Sequence, residues 1–146
     1  TAETDSINAS VLGPDATPET PEFAAFVRGL VAEMTTKAGQ KCTAIRRAIV
    51  PGSQVDAVVE AVRERIAEKV VVGDPRADGV TMGALASTEQ RDEVLRQVQR
   101  LVDAGGELVI GSTDAPAVRL ADGGERFVVN VWGVGYRLVD GTGGIA

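Results

Sequence analysis

Three stretches carry apolar residues at helical spacing, and each is followed by a short run rich in β-branched or small residues; this alternation restricts the fold more than any other feature. In the first, Phe23, Phe26, Val27, Leu30, Val31 and Met34 line one face, the pattern of a helix with one buried side. Thr20 can cap it, with Pro21 at the first position, where a missing N–H costs nothing. This helix is predicted to end near Ala38. The second has Val55, Val58, Val59, Val62 and Ile66 on its apolar face, with Ser53 as the expected cap and Asp56 three residues on. Arg63, Glu64, Arg65, Glu68 and Lys69 make its solvated side. The third runs from a Thr88 cap through Val94, Leu95, Val98, Leu101 and Val102, and Gly105-Gly106 closes it.

Between and around these helices, Ser6–Leu12, Thr43–Pro51, Lys69–Val72 and Glu107–Ile110 have the composition of short strands. Gly13 to Thr20 and the Gly73-Asp74-Pro75 stretch running to Ser87 read as loops. Strands alternating with helices specify an α/β fold, a mainly parallel sheet covered by helices. Aromatic residues make up only 3% of the chain. The core must therefore be assembled from Ala, Val, Leu and Ile.

Charge and residue content exclude several functions. With 15 basic and 21 acidic residues the net charge is −6, which repels nucleic-acid phosphates over the surface as a whole. Histidine is absent, so a Ser-His-Asp hydrolase is ruled out, and proton transfer must use a carboxylate, a thiol or water. One cysteine permits no intrachain disulfide and fits a reducing compartment. No apolar run approaches the roughly 18 residues of a membrane span, and there is no basic, apolar leader. The expectation is a soluble cytoplasmic protein. Because the chain begins at Thr1 without methionine, it is expected to be a piece of something longer, or a processed product.

The single thiol sits in Lys37-Ala38-Gly39-Gln40-Lys41-Cys42-Thr43-Ala44-Ile45-Arg46-Arg47, where the first helix gives way to an apolar run. By residue type alone, a lone cysteine is a small core hydrophobe. Its setting points the other way. Gly39 can end the helix in a conformation other residues resist, and Lys37 and Lys41 place positive charge near the sulfur.

Gly39-Gln40-Lys41-Cys42, with Ala44 and Arg46 to Pro51, resembles the nucleophile segment of aldehyde dehydrogenases. The resemblance extends from about Thr1 to Gly111. Ser6 to Ala16, the helix from Pro21 to Gly39, and Val72-Gly73-Asp74-Pro75 are most like the dehydrogenase part of bifunctional phenylacetate-degradation enzymes. It implies a partial aldehyde dehydrogenase catalytic domain in which Cys42 is the nucleophile and Glu3 the general base, 39 residues apart. It also implies an aldehyde substrate, in this branch a CoA-linked semialdehyde, and NADP or NAD as cofactor. No cofactor-binding or metal site is expected within this chain, so the oxidation is not expected to be complete without further parts. Taken without the resemblance, Glu3 is an ordinary solvated glutamate near a terminus.

Past Gly111 the dehydrogenase resemblance fades. Residues 112–125 read as a linker, 126–140 as a β-hairpin and 141–146 as a loose tail. Arg126 to Leu138 weakly resembles the closing hairpin of winged-helix response regulators, with Gly133 and Gly135 allowing the turn. As a nucleotide loop, Gly133 and Gly135 lack a third glycine, a following helix and an acidic partner. Two other functions stay open: a non-catalytic interaction module that pairs with itself or with the remainder of a dehydrogenase, and a DNA-binding regulator piece. With only Arg126 and Arg137 to meet phosphates, the hairpin argues against the second.

Overall fold

A computed structural model describes residues 8–111 and, beyond them, the backbone of three short strands at 117–119, 125–127 and 136–138. Glu3, most of the 112–125 linker, the turn at Gly133 and Gly135, and the 141–146 tail lie outside the described residues.

The first strand, β1 (Ala9–Val11), leads through a proline-containing loop into helix α1 (Pro21–Thr35) and back into β2 (Arg47–Ile49). β1 and β2 pair in parallel, with Ala9 opposite Arg47 and Val11 opposite Ile49. Helix α2 (Val55–Lys69) packs on α1, and α3 (Thr88–Asp103) leads into β3 (Gly106–Leu108). Helices with a small parallel sheet are the expected α/β arrangement. The later strands pair antiparallel: β4 (Ala117–Arg119) with β5 (Glu125–Phe127), and β6 (Tyr136–Leu138) with β3. Each of β5 and β6 thus takes an earlier strand as partner.

Two apolar clusters hold the helices. Leu12, Ala16, Phe23, Val27, Leu30, Val31, Val58 and Val62 form the larger one, between α1, α2 and the loop after β1. Ala38, Met82, Leu85 and Val98 form the smaller one, which binds the segment after α1 to the 82–85 loop and α3. Phe23 apart, the buried hydrophobic residues of both clusters are non-aromatic, as the shortage of aromatics requires.

The helix ends show where local chemistry overrides pattern. α1 begins as expected, Thr20 Oγ1 accepting from the Phe23 N–H at 3.3 Å with Pro21 first. It stops at Thr35, three residues before Ala38. Thr35 and Thr36 donate their hydroxyls to the Val31 and Ala32 carbonyls at 2.8 and 2.7 Å, occupying acceptors in the last turn. Ser53 does not cap α2. It lies inside a 3₁₀ turn, Gly52–Gln54, and the helix starts after Gln54 with no side-chain cap. Gln54 is buried and donates instead to the Pro14 carbonyl at 3.1 Å. In α3 the cap is Ser87, one residue before Thr88, and its Oγ accepts from Gln90 N–H at 3.2 Å. Leu101 and Val102, expected on the buried face, are exposed; Val98 is the buried residue of this helix. Lys69–Val72 forms no strand, only a single parallel bridge between Val72 and Met82.

Glu89, in the first turn of α3, is held below its ordinary value of 4.5 by a bond from its own backbone N–H and then by the Ser87 hydroxyl. A carboxylate whose folded-state pKa is lowered adds stability above its unfolded pKa, and that contribution is lost as pH falls through the folded value. Ser87→Ala removes the cap on the Gln90 N–H and should cost about 1 kcal/mol in urea unfolding at neutral pH, whereas Ser53→Ala, which removes no cap, should stay within about 0.5 kcal/mol. The Ser87 variant should also raise the Glu89 titration midpoint, read by NMR.

Candidate active site

The thiol segment is built on a backbone reversal. After α1, Lys37, Ala38 and Gly39 adopt φ of 53°, 51° and 68°, three successive residues in the left-handed region. Gly39 takes this conformation freely, while Lys37 and Ala38 pay about 1–2 kcal/mol each. Burial offsets the cost: Ala38 is 3% exposed, packed among Met82, Leu85 and Val98. Gly39 was legible as a residue suited to positive φ, but the helix ends four residues before it, at Thr35, and the two left-handed residues between were not legible.

Beyond the reversal, side-chain amides lace the loop. Gln40 Nε2 donates to the Lys37 carbonyl at 3.0 Å, and Gln40 Oε1 accepts from the Ala86 N–H at 2.9 Å. The loop preceding α3 is thus tied to the thiol segment. The Lys41 carbonyl accepts from the Ala44 N–H at 3.2 Å and from Arg46 Nη2 at 3.5 Å. Arg46 Nη1 reaches the Gly39 carbonyl at 3.3 Å. From the opposite side, Asn8 Nδ2 donates to the Cys42 carbonyl at 2.6 Å and to the Ala44 carbonyl at 3.3 Å. The Asn8 carbonyl in turn accepts from the Arg46 and Arg47 N–H groups at 2.9 and 3.2 Å. Asn8 meets this loop because the parallel register of β1 on β2 brings residue 8 level with residue 46.

Cys42 is exposed, so its setting prevails over the bias of its residue type. The electrostatic part of that expectation changes. Lys41 Nζ lies 2.8 Å from Glu33 Oε1, with both side chains largely covered, so its charge is neutralised on α1. The lysine fastens the loop rather than serving the sulfur. Among the described residues no group of three or more acidic, cysteine or histidine side chains could hold a metal ion, and no helix is long and apolar enough to cross a membrane.

The profile of the aldehyde dehydrogenase family matches residues 2–127. The chain belongs to the aldehyde dehydrogenase family. The match runs past Gly111, where the resemblance read from sequence faded. The chain is 42% identical over 120 residues to a 3,4-dehydroadipyl-CoA semialdehyde dehydrogenase of Aromatoleum evansii, covering 79% of this chain and 23% of that one. It is 33% identical to a putative aldehyde dehydrogenase of Staphylococcus aureus over 58% of this chain and 18% of that one. The chain thus spans about a quarter or less of the curated relatives it matches. An oxidoreductase from Marinobacter aquaeolei superimposes with a TM-score of 0.66 at 28% identity, over 74% of this chain and 21% of that one. Betaine aldehyde dehydrogenase from Staphylococcus aureus, solved in complex with NAD+, superimposes with a TM-score of 0.64 at 25% identity, over 75% and 20%.

Aldehyde dehydrogenases of this family use a dinucleotide, and the groove between α1 and α2 does not suit one. The groove between α1 and α2, about 300 Å³, sets Arg28 and Arg65 beside Glu64 and Glu68. Two carboxylates cancel the two guanidinium charges that a pyrophosphate would need.

Gly39→Ala should destabilise the chain by about 1 kcal/mol in urea unfolding, because alanine resists positive φ. The native protein should react with one equivalent of Ellman's reagent without denaturant, and Cys42→Ala with none.

Proposed function

We propose that this chain supplies the nucleophile of an aldehyde dehydrogenase catalytic domain, with Cys42 as the attacking thiol and Glu3 as the base that activates water. One observation carries the reading: an exposed thiol on a loop whose carbonyls on both sides are hydrogen-bonded, Lys41 from within and Asn8 from across the sheet. Family membership, matched over residues 2–127, supports it. Residues 1–111 then form the catalytic-domain segment, followed by a linker and the C-terminal strands.

The Cys42 thiolate attacks an aldehyde carbonyl carbon; a C–S bond forms and the carbonyl electron pair moves to oxygen. The peptide is planar and trans, so the Cys42 N–H points opposite to the Lys41 carbonyl. That carbonyl is held into the loop by Ala44 and Arg46, which aims the N–H outward to meet the oxyanion. NAD or NADP, when bound, supplies the hydride acceptor that turns this adduct into a thioester. Glu3 takes a proton from water as the thioester is hydrolysed, releasing the acid and returning the thiolate. The name of the Aromatoleum evansii relative favours a CoA-linked semialdehyde as substrate. The lone thiol, kept reduced, favours the cytoplasm.

A second reading has its own support. Val11 and Ile49, opposite each other in the β1–β2 ladder, are 67% and 53% exposed, and among the described residues no third strand pairs with β1 or β2, which invites pairing with another chain. On that reading the chain self-associates, and sedimentation should show a size that rises with concentration; an unchanging monomer would remove it.

The catalytic reading is tested without cofactor. An activated ester, p-nitrophenyl acetate, should acylate the protein with a mass gain that Cys42→Ala abolishes, and turnover should follow. Glu3→Gln should leave acylation in place and slow release of the acyl group about a hundredfold, in line with loss of a general base.

A further inference from the structure

We propose that Asn8 is a positioning residue for the nucleophile: its side-chain amide fixes the peptide that follows Cys42, and through it the direction of the thiol and of the Cys42 N–H. The proposal rests on the reading of Cys42 as nucleophile.

Cys42 lies between two peptide planes, and its φ and ψ are set when both planes are held. The preceding plane is held through the Lys41 carbonyl, by Ala44 N–H and Arg46 Nη2. The following plane is held through the Cys42 carbonyl, which takes the 2.6 Å bond from Asn8 Nδ2. The second bond of the same nitrogen, to the Ala44 carbonyl, spans the turn and stops Cys42 and Ala44 from moving independently. Asn8 is itself anchored, since its carbonyl accepts from Arg46 and Arg47 and the β1–β2 ladder starts at the next residue. Residues 34 positions apart are joined in this way. Among the described residues, the side chains of Gln40 and Arg46 bond to carbonyls before Cys42. Asn8 alone, among the described residues, grips the carbonyl of Cys42 itself.

Two reactions of the same thiol separate positioning from simple exposure. p-Nitrophenyl acetate forms a C–S bond through a tetrahedral oxyanion and expels p-nitrophenolate, so it needs the N–H in place. Iodoacetamide forms a C–S bond as iodide leaves, with no oxyanion, and needs only an accessible thiolate. Both rates would be measured on the full chain, on Asn8→Ala and on Asn8→Leu, below the melting midpoint of each. Leucine keeps the bulk of asparagine and removes both N–H donors. Both variants should acylate on the order of tenfold more slowly while alkylation stays within about twofold, as expected when a reacting group is displaced by a fraction of an ångström. Acylation at the parent rate in either variant overturns the proposal and leaves Cys42 as nucleophile standing. Parallel loss of both reactions also overturns it, showing that Asn8 supports the loop without orienting it. If the parent chain alkylates at Cys42 but does not acylate, the reading of Cys42 as nucleophile falls, and the role of Asn8 with it.

Discussion

The reversal at Lys37-Ala38-Gly39 is the constraint on which the rest of the structure depends. α1 runs back along β1, and the chain must then turn sharply for β2 to lie parallel to the strand it left. Three left-handed residues in a row make that turn, and two of them carry a Cβ that opposes it. A backbone this strained persists only where its surroundings over-determine it. Here they do so twice: Ala38 is sunk among Met82, Leu85 and Val98, and Gln40 and Arg46 bond to the carbonyls of Lys37 and Gly39. Removing a methyl as small as that of Ala38 would therefore trade relief of strain against the packing that joins α3 to the loop.

The cations near Cys42 show how magnitude decides a role. An ion pair between partly covered side chains gives back much of its Coulomb gain as desolvation, so the 2.8 Å contact of Lys41 with Glu33 is a weak source of stability. Its effect is directional: it draws the lysine toward α1 and pins the loop at the residue before the thiol. Arg46 likewise spends guanidinium N–H groups on backbone carbonyls. Positive charge in the sequence around the cysteine becomes mechanical support in three dimensions, with its electrostatic reach reduced by the partners it acquires.

Periodicity made the helices legible. The stripe from Phe23 to Met34 and the Thr20-Pro21 start mark α1 almost as built, because burial of one face and satisfaction of the first N–H groups are local requirements written into adjacent residues. The ends were less legible. Ser53 and Ser87 look alike as caps, and which one serves depends on whether the preceding backbone is extended: Ser87 has φ −152° and ψ 165°, whereas Ser53 is already within a 3₁₀ turn. Cys42 was visible as the one thiol, three residues after Gly39. Asn8 and Gln40 were not, since an amide that bonds across 34 or 46 residues leaves no periodic mark. The strand partners of 125–127 and 136–138 were hidden for the same reason, because pairing is a property of two segments and each segment carries only half of it.

The exposure of Cys42 also fixes how the chain answers oxidation. A thiol open to solvent meets peroxide readily and passes first to a sulfenic acid, which is rescued by condensing with a second thiol. This chain has one cysteine, so no neighbour within it can trap that state as a disulfide. Recovery depends on a thiol from outside these 146 residues, and where none arrives the sulfur moves on to the irreversible acids. The same openness that admits a carbonyl leaves the site reliant on its surroundings for repair.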